Sequence, residues 1–503
     1  MLKEKQQDRE VVDFYQVTQH SYVIIYREDN RLLYNPVEPE LTDEERRALG
    51  IVRNYLTRTF FFSQRELKEK WKELQKRVED EVGEAVKMLR INLNEKSIDK
   101  ITYYVRRDYL GYGPIEVPMN DPFVEDISST GADSPVYVYH VKYEWIPTTI
   151  KFVDDEIYNA FIRRLAYRAG QELVYSNPIV EGPIPPRDYR AHLVLDIVSR
   201  RGSSFTIRRG AEIPLSIVKL ISMKTITPRI AAYLWMLVSN MRTILIAGPM
   251  ASGKTTLLNA IAMFIPHTKK IVTIEETSEL RLERENWTPL IVRPSSKPEI
   301  SNITLFELLK SSLRQRPDYI IVGEIRGEEA YTFFQAISLG HGGLGTFHAE
   351  SFHQVIRRLE SHPLNIPRSM IPLVNTVVFM KSYRGEGGIN RKVEDVVDII
   401  SYDPSTDGIN AASVFKYDPI DDRWIESETL PNLMKIADMS GLSLNELKDE
   451  LSRREKFLTY LAERGVEHPS EVVRAIDEYA SNPEVAMEKY RPGSGVGFGE
   501  TVS

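Results

Sequence analysis

Eight consecutive residues, Gly248-Pro249-Met250-Ala251-Ser252-Gly253-Lys254-Thr255, fit the pattern G-x-x-x-x-G-K-[ST] and lie between an apolar run and a helix-forming one. Glycines let the backbone approach phosphate oxygens, and loop amides together with a helix N-terminus favour negative charge. Lys254 would reach the β- and γ-phosphates and the Thr255 hydroxyl would ligate Mg²⁺. The expected nucleotide-binding set is therefore Gly248, Pro249, Met250, Ala251, Ser252, Gly253, Lys254, Thr255 and Thr256. A chance Gly-rich turn is the competing reading, and the flanking strand and helix patterns weigh against it.

Three further groups could serve phosphate chemistry. Glu275, Glu276 and Glu279 crowd the end of an apolar run, where acids at the carboxyl edge of an α/β sheet hold metal or orient water; a solvated acidic turn is the plainer alternative. Pro317 to Glu324 is an apolar strand ending in an acid, the form of a Walker B element, and Glu324 is the candidate for positioning the attacking water and for metal contact. In Gly340 to Ala349, His341 and His348 flank a Gly-rich turn and a short strand, where they could report γ-phosphate state or bridge to a neighbour. Upstream, Arg187, Arg190, Arg200, Arg201, Arg208 and Arg209 are suited to bidentate phosphate contacts, with a nucleic-acid groove or a solvated face as competing readings.

The elements that must position these groups follow from pattern. At 503 residues the chain exceeds one domain several times over, and 42% hydrophobic with 27% charged residues is an ordinary globular balance. The net charge of −7 gives no global basic field for nucleic acid, so no direct nucleic-acid partner is expected. Without Cys there is no disulfide, thiolate zinc site or cysteine nucleophile. The charged start MLKEKQQDREVV lacks a signal-like apolar stretch, and the purest apolar run, Ile230 to Val238, is far shorter than the ~20 residues that span a bilayer. A cytoplasmic protein is expected.

Residues 1–100 are read as a mostly helical, exposed lobe with one short β-like run at Tyr22 to Tyr26. Residues 101–209, with short alternating runs split by Pro and Gly, are read as an α+β domain, and 210–226 as a linker. From 227 to 440, apolar β-rich runs alternate with helical patterns, which predicts a largely parallel sheet covered on both faces. Capping boxes mark helix starts at Thr304 with Glu307 and Ser443 with Glu446. Residues 441–503 are expected to be a helical appendage with a loose Gly-rich end from Arg491.

Taken in order, GPMASGKTT, IVTIEETSEL, LRQRPDYIIVGEIRGEEA and LGHGGLGTFHAES resemble the Walker A, Asp box, Walker B and His box of the type II/type IV secretion ATPase superfamily. The likeness is to its archaeal branch, which includes the archaellum motor ATPase and the type IV pilus and secretion ATPases. It extends to LGYGPIEVPMNDPFVEDI and VSRRGSSFTIRR, and covers about Ile101 to Ser382. The resemblance implies an α/β, RecA-like P-loop nucleotide domain with an N-terminal α+β domain and additional helical lobes. It implies that Lys254 and Thr255 bind phosphate and Mg²⁺, that Glu324 is the Walker B glutamate, that Glu276 with Glu279 forms the Asp box, and that His341 and His348 form the His box. Arg190, Arg201 and Arg208 become candidates for arginines presented to a neighbouring subunit's nucleotide.

Two departures stand out: the Asp box carries Glu276 where Asp is usual, and Pro249 and Met250 fill the second and third Walker A positions. The resulting expectation is a Mg²⁺-dependent ATP hydrolase. It would form a homo-hexamer at the inner face of the cytoplasmic membrane and pass motion to a polytopic platform protein, so as to drive an archaeal filament or secretion. The alternatives are a DNA translocase or helicase-like motor and a non-hydrolysing nucleotide-binding scaffold.

Overall fold

Alternating side chains bury Val23 and Ile25 of β2 (Tyr22–Glu28) between β1 (Glu10–Gln16) and β3 (Arg31–Val37). Asp29 and Asn30, both at positive φ, close the two-residue turn from β2 to β3. This computed structural model describes residues 10–210, 213–293, 302–385 and 388–493. The chain divides into two units, Met1–Gly210 and Ala211–Ser503.

In the first unit the remaining strands are β4 (Val124–Ser129), β5 (Pro135–His140), β6 (Glu144–Lys151), β7 (Ile179–Ile184), β8 (Tyr189–Val194) and β9 (Ser204–Arg208). They form a nine-stranded sheet in the order β1-β2-β3-β6-β5-β4-β9-β8-β7. The first hundred residues are thus not simply a helical lobe, because a three-stranded meander joins the sheet of the following domain through Tyr34 opposite Thr148. Tyr34 also donates to the buried Asp121 at 2.7 Å. Helices Asp43–Thr59, Gln64–Glu69, Trp71–Met88 and Glu95–Tyr109 do cluster, but around a core of their own that includes Val52, Val78, Val82 and Ile101.

The second unit holds β10 (Ile244–Ala247), β11 (Ile271–Glu275), β12 (Trp287–Ile291), β13 (Tyr319–Val322), β14 (Gly342–Phe347), β15 (Thr376–Gly385), β16 (Gly388–Asp403), β17 (Gly408–Asp418) and β18 (Arg423–Glu426). The sheet order is β12-β11-β13-β14-β10-β15-β16-β17-β18. Pairing is parallel from β12 to β15 and antiparallel from there to β18. Every residue of β10, β11, β13 and β14 is buried, as a parallel sheet covered on both faces requires. This is the RecA-like P-loop architecture.

Two expected boundaries dissolve into this unit. Helix Ile217–Ser222, inside the expected linker, buries Ile217, Val218, Leu220 and Ile221 in the same core as β10. The apolar run Ile230 to Val238 lies in helix Pro228–Ser239, which Thr227 caps by accepting from the Ile230 N–H. Its Trp235 stacks on Phe264 and packs against Tyr479 at ring separations of 5.2 and 5.1 Å. Helices Leu444–Glu463 and Pro469–Ser481 therefore belong to the core and are not an appendage, since without them Trp235 and its apolar neighbours would face water. Both predicted capping boxes are formed. Positions 211–212 of the expected linker and the Gly-rich end from 494 on lie outside the described residues. Among the described residues, no helix is long and apolar enough to cross a membrane.

Candidate active site

Strands β11, β13, β14 and β10 are adjacent and parallel, with Ile274 opposite Val322, Val322 opposite Gly345, and Ala247 opposite Phe347. Whatever follows each strand therefore emerges at one carboxyl edge, where α/β sheets bind ligands. Gly248 to Thr255 follows β10, Glu276 to Glu279 follows β11, Glu324 follows β13 and His348 follows β14.

The loop after β10 turns through left-handed backbone at Ala251 (φ 57°) and Gly253 (φ 92°), and helix Lys254–Ala262 starts at Lys254. Gly248 is held by both its φ of 153° and its surroundings, because a Cβ there would lie 2.5 Å from Met380 O and 2.7 Å from Ser252 Oγ. Ser252 Oγ and Lys254 Nζ donate to Pro249 O at 2.9 and 2.7 Å. A phosphate oxygen entering the loop competes with that carbonyl for the Lys254 ammonium, a stronger match because the acceptor is charged. Lys254 is buried while Thr255 is half-buried.

The acids divide by environment. Glu275 is 3% exposed, its Oε1 accepts from the N–H groups of Glu279 and Leu280 at 3.0 and 2.9 Å, and its Oε2 has no hydrogen-bond partner among the described residues. Burial pushes its carboxyl up to about 7 against the pull of those two N–H groups. Glu276 forms an ion pair with Arg326, which compensates its charge from the Walker B side. Asn259, on the helix after the phosphate loop, accepts from Arg281 N at 3.0 Å and donates to Glu279 O at 3.3 Å, tying the acidic loop to that helix. Glu324 Oε1 lies 3.2 Å from His348 Nε2, both groups being about one-third exposed. Burial and the Lys254 cation draw His348 below the ordinary histidine value, while Glu324 opposes them. A neutral imidazole beside Glu324 can accept or donate one hydrogen bond at this edge.

His341 does not share this place. It precedes β14, with Nδ1 2.7 Å from Pro317 O, at the opposite edge of the sheet. A strand rises ~3.3 Å per residue, so the pair stands about 20 Å apart and only His348 faces the loop edge. The segment between them is no turn: Gly342, Gly343 and Gly345 are buried in β14. A Cβ at Gly343 would lie 2.7 Å from Ile337 Cγ2 and 2.8 Å from Phe333 Cζ, so Gly343 admits helix Glu329–Ser338 to close approach.

The candidate arginines lie in the first unit. Arg190 of β8 and Arg208 of β9 are cross-strand partners, and Arg208 stands opposite Asp126 of β4. Arg190 is ion-paired with Glu181, and Arg201 and Arg208 are exposed. Arg209 instead serves structure, donating to Val124 O at 2.6 Å and lying over the Tyr189 ring.

Mg²⁺ takes hard oxygen ligands, keeps several waters, and is bound by one or two protein groups plus substrate phosphates. Among the described residues, no group of three or more His, Cys, Asp or Glu forms a cage. A hydroxyl at Thr255 with the Glu324 carboxylate fits that sparse mode. Arg326, which pattern reading left without a role, was legible as the second residue after Glu324, and the burial that sets Glu275 apart from Glu276 had no sequence signal.

A sheet of this order, with a phosphate loop, two acidic segments and a histidine at one edge, defines a P-loop nucleoside triphosphatase domain. Residues 109–378, more than half of the chain, match the family model described as Type II/IV secretion system protein, and the chain belongs to that family. An uncharacterized protein of Methanocaldococcus jannaschii is 35% identical over 381 residues, 75% of this chain and 69% of that one. A second from the same organism is 43% identical over 260 residues, 52% of this chain and 96% of that one. Among solved structures, the chain is similar to the ATPase DotB of Legionella pneumophila, with 16% identity, 72% of this chain and 94% of that one covered, and a TM-score of 0.42. Membership in the family implies an ATPase of secretion-type machinery.

Proposed function

We propose that this chain is a Mg²⁺-dependent ATP hydrolase working as a homo-hexamer on the cytoplasmic face of the membrane. Its motion drives assembly or movement of an archaeal type IV filament, archaellum or pilus, or type II-like secretion, through a polytopic platform protein. The observation that carries the hydrolytic reading is the convergence of the Gly248–Thr255 loop, Glu324 and His348 at one edge of a single parallel sheet.

In this reading Lys254 neutralises phosphate charge, and Thr255 with Glu324 holds Mg²⁺, which spreads the charge of the triphosphate when bound. Glu324 also orients the attacking water, and His348 holds the Glu324 carboxylate in place from 3.2 Å away. Glu276, compensated by Arg326, fixes the acidic loop that carries Glu279. His341 drops out of the catalytic set, because β14 carries it to the other edge. Arg190, Arg201 and Arg208 complete the site of a neighbouring subunit, a role that suits the exposed Arg201 and Arg208. The archaeal setting is supported by the two relatives from Methanocaldococcus jannaschii.

The test is steady-state phosphate release by purified protein with ATP and Mg²⁺, alongside its mass in solution. Release at ring-forming concentrations is expected; ATP binding without any release would establish the scaffold reading instead.

A further inference from the structure

Strand β15 does not stop where β10 does. Ala247, the last residue of β10, is opposite Phe379, and β15 runs on to Gly385 before β16 returns from Gly388. The hairpin thus continues past the carboxyl edge of the sheet, alongside the phosphate loop. Met380 O crowds Gly248, and the Met380 and Arg391 side chains reach within 3.5 Å of where a Cβ on Gly253 would be. From β16, Arg391 Nε donates to Ala251 O at 2.9 Å.

Ala251 is the residue of the loop that most needs such a contact. Its φ of 57° is the left-handed region, which costs an L residue with a Cβ but costs glycine nothing. The peptide that follows is planar and trans, so fixing the carbonyl of Ala251 on one side fixes the N–H of Ser252 on the other. Loop amides that point inward before phosphate arrives give a site that need not reorganise on binding.

We propose that Arg391 is a positioning residue for the phosphate loop: its hydrogen bond to the Ala251 carbonyl holds Ala251 in the left-handed conformation and so presets the loop for the nucleotide phosphates. The inference rests on the nucleotide-binding reading above but adds a residue to it, one brought from a hairpin 140 positions away in the chain. It also distinguishes holding the loop from touching the ligand. If Arg391 acts by holding Ala251 at positive φ, the A251G substitution removes the need for it; if Arg391 acts on phosphate directly, A251G changes nothing.

The experiment is a double-mutant cycle on the full chain: wild type, R391A, A251G and R391A/A251G, with ATP affinity measured by calorimetry and unfolding followed in parallel. A net hydrogen bond of ordinary strength predicts that R391A weakens ATP binding about five- to tenfold when Ala251 is in place. In the A251G background the same substitution is expected to cost less than about twofold. The turnover of R391A at saturating ATP should stay within about twofold of wild type, so the loss falls on KM. R391K, which keeps the charge and the packing, covers the case in which R391A fails to fold, and is expected to lose more affinity when Ala251 is in place than in the A251G background. Equal losses in both backgrounds, or no loss in either, overturn the proposal. Wild-type protein that binds no ATP instead overturns the nucleotide-binding reading itself, so the two failures are distinguishable.

Discussion

Replacing Glu275 by Gln should stabilise the second unit at alkaline pH and do little at acid pH. The amide keeps the Oε1 acceptor for the N–H groups of Glu279 and Leu280, at 3.0 and 2.9 Å, and removes a charge that burial opposes. The magnitude follows from the raised carboxyl, which stands at about 7 against an ordinary 4.5. Between those values the folded chain holds a proton that the unfolded chain has lost, so stability falls as pH rises through that window and stays low above it. At ~1.36 kcal/mol per unit the full cost is about 3 kcal/mol by pH 8, and less than about 1 kcal/mol at pH 5. For a unit of this size that is a gain of roughly 5 °C in melting temperature for E275Q at pH 8. Thermal unfolding of wild type and E275Q from pH 5 to 8 measures it. A difference that does not change with pH, or an E275Q protein less stable than wild type at pH 8, refutes the reasoning.

The remaining expectations are more direct. K254A should lose nucleotide binding, whereas E324Q should bind ATP and stop turning it over; affinity and phosphate release measured together test both, and robust hydrolysis by E324Q removes the catalytic assignment. Specific activity should rise with protein concentration, and mixing K254A with R208A chains should restore part of it at mixed interfaces. Constant activity in a demonstrated monomer would sink the role of trans-acting arginines. G343A, whose Cβ would press on Ile337 and Phe333, should lose about 1–3 kcal/mol by overpacking. A melting temperature equal to wild type would show that the helix over β14 can move aside.

The sequence by itself determined what is local. The phosphate loop is one contiguous run whose spacing states its chemistry, and the capping boxes at Thr304 and Ser443 are closed by residues three positions on. The buried strands β10 and β13 are unbroken apolar runs, and β11 is one interrupted by Thr273 and closed by Glu275, and all three read as parallel strands. The ordered motifs likewise fixed the family. Composition and periodicity could not show that β1 to β3 join the first sheet or that helix Leu444–Glu463 completes the second core. Those contacts join residues far apart in the chain, as in Trp235 against Tyr479.

Only the tertiary structure decided which groups share an edge. Strand order is not chain order, so the sequence could not state that β14 lies between β13 and β10, nor that its direction carries His348 to the phosphate loop and His341 about 20 Å away. Burial is likewise a property of the assembled sheet. Glu275 and Glu276 are adjacent identical residues, yet one lies against Gly323 with its carboxyl desolvated while the other reaches Arg326 in partial solvent. The Arg391 contact with Ala251 exists because an antiparallel hairpin runs past its parallel neighbour, and no local pattern encodes where a strand ends relative to the one beside it.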